Sequence, residues 1–260
     1  MSDENPYKAP EAEIITTDDN ADFTLKEPAK LPASSGWYWY VDGFEYFKHS
    51  PGQWILTMIV GFILMMVVTM IPIIGQIFIT LTSYIWLAGL MIGCKEQNMG
   101  KPFDVNYLFA GFKHNTGKLI LLAIVGAIIN YGIVFAVMGD MFIDLISGNQ
   151  QAINEMGMEP ISILLRVLIA MLILIPVMMM MWFAPVLIVI NDVSIPDALS
   201  LSFRGCLKNI LPFLVYGIVG IPLFILAVIP LGAGLLILVP VMYASIFVSY
   251  KEIFIQATTK

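Results

Sequence analysis

Residues 198–252 read ALSLSFRGCLKNILPFLVYGIVGIPLFILAVIPLGAGLLILVPVMYASIFVSYKE, and the reading of this stretch decides the fold. A short amphipathic lead-in ends in Phe203-Arg204, two long apolar runs follow, and Lys251-Glu252 closes the unit. The first half of the chain has the same arrangement, with Phe47-Lys48 before two apolar runs and Lys95-Glu96 after them. From Lys48 to Lys95 is 47 positions, and from Arg204 to Lys251 is again 47. Phe112-Lys113-His114 echoes Phe47-Lys48-His49 and opens a longer third unit. Apolar sequence matches apolar sequence easily, so threefold repetition and chance similarity both account for that third copy. The pattern predicts an all-α polytopic membrane protein with six transmembrane helices. These form three hairpins, each preceded by a short interfacial amphipathic helix.

Composition agrees with this class. Hydrophobic residues make up 59% of the chain and charged residues 12%, with a mean hydropathy of +0.86, whereas a soluble domain is about 25% charged. A soluble fold cannot hide that much apolar surface. The net charge of −6 is concentrated at the N-terminus, where residues 1–36 hold eight acidic side chains against three Lys. That segment is rich in Pro, Asp, Glu and Ala and has no helical or alternating period. It is therefore read as a disordered acidic cytoplasmic tail, and its charge argues against nucleic acid as a partner. Within it, Asn5, Pro6, Tyr7 and Pro10 bracket a tyrosine with prolines, either as a plain linker or as a peptide ligand for a partner's groove. This opening resembles that of many bacterial inner-membrane proteins. No cleavable leader is expected, so the first span should act as an uncleaved anchor.

The spans are expected at about 54–71, 73–93, 119–138, 167–190, 210–229 and 231–250, within a transmembrane domain covering residues 37–255. At 1.5 Å per residue, runs of this length match a hydrocarbon layer of about 30 Å. Ahead of the first, Trp37, Tyr40, Phe44 and Phe47 share one helical face, as in an interfacial helix at headgroup level. Gly89 and Gly93 are spaced for close helix approach, though a lipid-facing position explains them equally well. Pro176 and Pro185 are expected to kink the fourth span, and the Met178–Met181 run points all round its helix, which suits packing rather than metal binding. Residues 139–160 form an acidic loop whose loose spacing of Asp140, Asp144, Glu155 and Glu159 suits solvation rather than a divalent cation. Ser194 is spaced to cap a helix through Asp197. Cys94 and Cys206, just outside spans, are read as unreactive thiols.

All Lys and Arg except Arg166 fall on one side of the six spans, so both termini are expected in the cytoplasm. Polar groups inside spans are few. Asn130 and Gln76 are the candidate intramembrane polar residues, and Asn130 is expected to face the bundle in an interhelical hydrogen bond worth about 1 kcal/mol. Lys48, Lys113, Arg204 and Lys208 stand where spans begin, as candidate contacts for anionic headgroups or as ordinary topology anchors. His49 and His114 are isolated at the membrane edge, outside any nucleophile–base or metal pattern.

Ala184-Pro185, Asn191-Asp192, Ala198-Leu199, Ser202-Phe203 and Lys208-Asn209 together resemble a family, the bacterial six-helix integral membrane proteins related to the membrane domain attached to some glycerophosphodiester phosphodiesterases. The resemblance covers roughly residues 37–255. The soluble phosphodiesterase barrel is expected to be absent, so no catalytic residue carries over. The expected function is that of a non-catalytic inner-membrane protein organising partners or lipids at the cytoplasmic face. The alternative is a transporter or lipid-handling channel with a cavity between hairpins. No cofactor or metal is expected. The expected partners are membrane lipids and a protein reached through the N-terminal tail, with oligomeric state left open.

Overall fold

The computed structural model describes residues 23–148 and 160–255. The tail motif at Asn5, Pro6, Tyr7 and Pro10, and Glu155 and Glu159 of the acidic segment, lie outside these residues. In chain order the helices are α1 (Ser35–His49), α2 (Pro51–Thr69), α3 (Ile74–Asn98), a 3-10 helix (Val105–Lys113), α4 (Thr116–Ser147), α5 (Pro160–Trp182), α6 (Ala184–Asn191), α7 (Ile195–Lys208), α8 (Ile210–Val228) and α9 (Leu235–Phe254). Six segments are long and apolar enough to cross a membrane: Pro51–Thr69, Ile74–Asn98, Thr116–Met141, Ile163–Asn191, Ile210–Val228 and Leu235–Phe254. The predicted spans correspond one to one, with their ends shifted by a few residues.

Each hairpin is preceded by a short helix: α1 leads α2–α3, the 3-10 helix leads α4–α5, and α7 leads α8–α9. The two tight hairpins turn in the same way. Pro72 is followed by Ile73 at φ +63°, and Pro230 by Leu231 at φ +55°. A bulky residue in the left-handed region is uncommon, so two prolines followed by this conformation carry the repeat from sequence into backbone geometry.

The three units close into a ring. The lead helix α1 packs on α9 and α8 of the third unit, the 3-10 helix packs on α3 and α2 of the first, and α7 packs on α5 and α6 of the second. Every lead helix thus covers the hairpin of the unit before it. The core lies where the second helices of the hairpins converge. There α3 and α6 pack together, α3 packs on α9, and Phe183 meets Phe254 edge-on at 5.2 Å. Phe103, Phe183, Phe247, Tyr250 and Phe254 are all fully buried at this end. The opposite ends of the spans expose large apolar side chains, among them Phe62, Ile128, Phe135, Ile221 and Ile229, as lipid-facing surfaces do.

Glycine permits the closest approaches in the ring. A Cβ on Gly111 of the 3-10 helix would lie 2.0 Å from the Ile85 carbonyl oxygen, and one on Gly89 would lie 2.3 Å from that of Tyr107. The Gly89 and Gly93 pair therefore seats the 3-10 helix and the Phe103 ring rather than facing lipid.

Three sequence expectations are corrected. First, residues 23–34 do not share the character expected of the acidic tail: Lys26 N–H donates to the Phe254 carbonyl and Ala29 N–H to that of Ile253, both at 2.8 Å. Second, helix α4 runs on to Ser147, so the first part of the expected acidic loop is helical. Asp140 there pairs with Arg166 of α5 at 2.5 Å, which gives that extension an anchor. Third, the fourth span breaks only once, at Phe183 before Pro185, whereas Pro176 sits inside continuous α5.

Candidate functional site

Two features stand out: a polar collar where the lead helices meet the span ends, and a cleft between α3, α4 and α5. The collar is built by one repeated device. A polar residue joins each lead helix to its first span, at Ser50, Asn115 and Asn209, and each bonds the chain entering the next unit or the helix end before it. Phe103 N–H donates to Ser50 Oγ at 3.3 Å, and Asn115 Nδ2 donates to the Ile188 carbonyl at 2.9 Å. Asn209 does most: its Oδ1 accepts from Leu31 N–H at 2.8 Å, and its Nδ2 donates to the carbonyls of Ala29 at 2.8 Å and Gly205 at 2.9 Å. Asn209 is wholly buried, so these bonds replace the water it gives up.

Asn209 thereby ties residues 23–34 across the third unit as a strap. Arg204 pairs with Glu27 at 3.1 Å, and Lys208 Nζ donates to the Pro28 carbonyl at 3.0 Å. At the strap's start Phe23 is buried where all three units meet. Its carbonyl accepts from Asn191 Nδ2 at 2.9 Å, its ring lies 6.1 Å from that of Phe247, and Lys95 Nζ stands 5.2 Å over it. Tyr250 O–H donates to Asn191 Oδ1 at 2.5 Å, locking the same junction. Replacing Asn209 with alanine leaves the Leu31 N–H and two carbonyls without partners, at about 1–3 kcal/mol for each buried group that water cannot reach. Hydrogen exchange at Leu31 is expected to accelerate far more than in the middle of α9, and equal protection in the variant would show that Asn209 does not hold the strap.

The charges around this collar are mostly engaged. Lys48 pairs with Glu45 at 2.6 Å and lies 5.5 Å from the Phe44 ring centre, while Lys113 is exposed. Lys118 pairs with Asp192 at 2.6 Å, and that hydrogen bond holds the Asp192 carboxyl below its ordinary range. Burial, reinforced by Glu45, pushes Asp42 above its ordinary value against the opposing pull of Lys251. Trp39 Nε1 donates to Glu252 at 2.8 Å, and Lys251 and Tyr46 share Asn98 Oδ1. His49 and His114 each bond the carbonyl four residues earlier, those of Glu45 at 2.7 Å and Ala110 at 3.1 Å. These contacts match between the first and second units. Cys94 and Cys206 are both buried, and burial pushes the Cys206 thiol up to about 12, far from the thiolate that reacts.

The cleft between α3, α4 and α5 has a volume of about 260 Å³ and is lined by Thr80, Ser83, Tyr84, Asn130 and Tyr131 against Gly126, Ala127 and methionines of α5. Asn130 faces it, yet the interhelical hydrogen bond expected from the sequence is not made among the described residues. Thr80 Oγ1 donates to the Gln76 carbonyl at 2.9 Å and Ser83 Oγ to that of Thr80 at 3.0 Å, which leaves the lone pairs of both hydroxyls open. Gln76 sits one turn earlier, exposed near the start of α3, and does not line the cleft.

Ser202 and Asn209 escaped site selection in the sequence, although both fall in the pairs that carry the family resemblance. Polar residues at span edges look like ordinary boundary markers, and only the fold shows what they hold.

The comparisons bear on class. The chain is 29% identical over 236 residues to a probable inner membrane protein of Burkholderia thailandensis, covering 85% of this chain and 87% of that protein. No family model matches the chain, and no solved structure matches it. A ring of six apolar helices, similar along nearly its whole length to a probable inner membrane protein, defines the class: a polytopic membrane protein.

Proposed function

We propose that this is a non-catalytic integral protein of the bacterial inner membrane, with both termini in the cytoplasm, that organises anionic lipids around its collar. The observation that carries the reading is the outward face of the three lead helices. On α1, Trp37, Tyr38 and Phe44 are exposed beside Lys48, and on the 3-10 helix Phe109 and Phe112 are exposed beside Lys113. On α7, Leu207 is exposed between Arg204 and Lys208. Exposed aromatics beside cations suit the headgroup layer, where each basic side chain gains about 1 kcal/mol against an anionic leaflet. The concentration of Lys and Arg on the collar side supports its cytoplasmic placement. The packed aromatic junction under the strap argues against a pore along the ring's axis, and the histidines' local bonds argue against catalysis.

The test is lipid analysis of the full chain purified in nanodiscs made from mixed neutral and anionic lipid. Retained phosphatidylglycerol is expected to exceed its bulk share and to fall severalfold in the double variant Lys48→Gln, Lys113→Gln. Retention at the bulk share, unchanged by the variant, would reject the reading.

A further inference from the structure

We infer that the cleft between α3, α4 and α5 is a binding site for an uncharged lipid alcohol, a glycerol-ester headgroup of diacylglycerol chemistry, independently of what the collar does. Two other clefts open on the ring. One of about 390 Å³ lies between α2, α3, α9 and the 3-10 helix, and one of about 330 Å³ lies between α5, α7 and α8. These two are walled chiefly by Leu, Met, Phe and Trp, as expected for gaps that acyl chains fill. The cleft between α3, α4 and α5 differs from both in its polar lining.

Its polar groups sit deep. Asn130 is 14 residues past Thr116, the start of α4, which is roughly 21 Å along the axis at 1.5 Å per residue and well inside a hydrocarbon layer of about 30 Å. Among the described residues nothing hydrogen-bonds its carboxamide, nor the hydroxyl of Tyr84, which also lines the cleft. Unmet polar groups at that depth are costly, so a ligand that pairs them is favoured there.

The lining selects the ligand. No charged side chain lines the cleft, so a phosphate head would enter without a counter-charge. Asn130 Nδ2 and the Tyr84 hydroxyl offer donors. Asn130 Oδ1 accepts, as do the lone pairs left on Thr80 and Ser83, whose own protons go to backbone carbonyls. A ligand with acceptors alone, such as a quinone ring, meets only half of this set. A glycerol carrying ester carbonyls and one free hydroxyl meets both halves. Gly126 and Ala127 leave room for it, and Met178 and Met181 supply an adaptable wall.

The experiment uses the full chain in phosphatidylcholine nanodiscs containing a few mole per cent of a photoactivatable diacylglycerol, with cross-links mapped by peptide mass spectrometry. Labelling is expected on the segments holding Ala127–Tyr131 and Val177–Met181. It should drop at least fivefold there in Asn130→Leu and in the cleft-filling Ala127→Leu. Background labelling on lipid-facing α8 should stay unchanged, which controls for folding. Equal labelling of the cleft in both variants would overturn the assignment, and so would equal, Asn130-dependent labelling by the matching photoactivatable phosphatidylglycerol.

Discussion

Replacing Gly111 with alanine is expected to lift the 3-10 helix off α3 and cost the fold about 3 kcal/mol, the upper part of the range for overpacking a filled interface. The added Cβ would stand 2.0 Å from the Ile85 carbonyl oxygen and 3.0 Å from the Gly89 nitrogen. Both are backbone atoms of a helix, so neither can swing aside as a side chain would. Relief requires moving the whole 3-10 helix outward, which loosens Leu108 from the core and breaks the edge-on contact of Trp86 with Phe112. The control is Gly117→Ala. A Cβ there meets nothing within 4 Å, and alanine in a helix gains about 0.5–1 kcal/mol over glycine. Thermal unfolding in nanodiscs should therefore show a large drop for the first variant and a small rise for the second. A Gly111→Ala protein as stable as the parent would mean that the 3-10 helix is not held against α3 in the membrane.

That contact also shows how far the sequence can be read. Six spans were legible because a hydrocarbon layer imposes one rule on composition and length, and apolar runs of the right size satisfy nothing else so well. The repeat was legible at Lys48, Lys95, Arg204 and Lys251 because charges at span ends are sparse landmarks in an apolar chain. Its closure into a ring was not. Whether Gly89 faces lipid or another helix depends on which unit lies beside it, and spacing within one helix carries no information about its neighbour. The strap was hidden for a different reason. Phe23, Leu25 and Leu31 are too few and too irregular to form a periodic pattern, so composition assigned them to the tail. Their order comes from Asn191 and Asn209, some 170 residues away. Asn130 is the reverse case. The sequence found it because carboxamides in spans are rare, and the bond expected of it is not made because Asn130 lines a cleft rather than a packed neighbour.

Replacing Ser202 with alanine is the second large effect, because its hydroxyl stands inside another helix's broken hydrogen bond. In an unbroken helix the Phe183 N–H would donate to the carbonyl of Met179, four residues back. Pro185 has no N–H and its ring crowds the preceding turn, which opens the ladder at this point. Ser202 of α7 fills the opening. Phe183 N–H donates to Ser202 Oγ at 3.0 Å, and the Ser202 hydroxyl donates to the Met179 carbonyl at 2.6 Å. One side chain thus satisfies both halves of the missing bond, and it is completely buried. Alanine leaves a donor and an acceptor unpaired, each costing about 1–3 kcal/mol where water cannot enter, so a total of about 2–6 kcal/mol is expected. Removing Pro185 changes the sign of the argument. In Pro185→Ala the helix can close its own ladder, and Ser202→Ala should then cost under about 1 kcal/mol, a coupling that a double-mutant cycle measures directly. If the Ser202→Ala penalty stayed the same with and without Pro185, the hydroxyl would be acting through packing of α7 rather than through the broken bond.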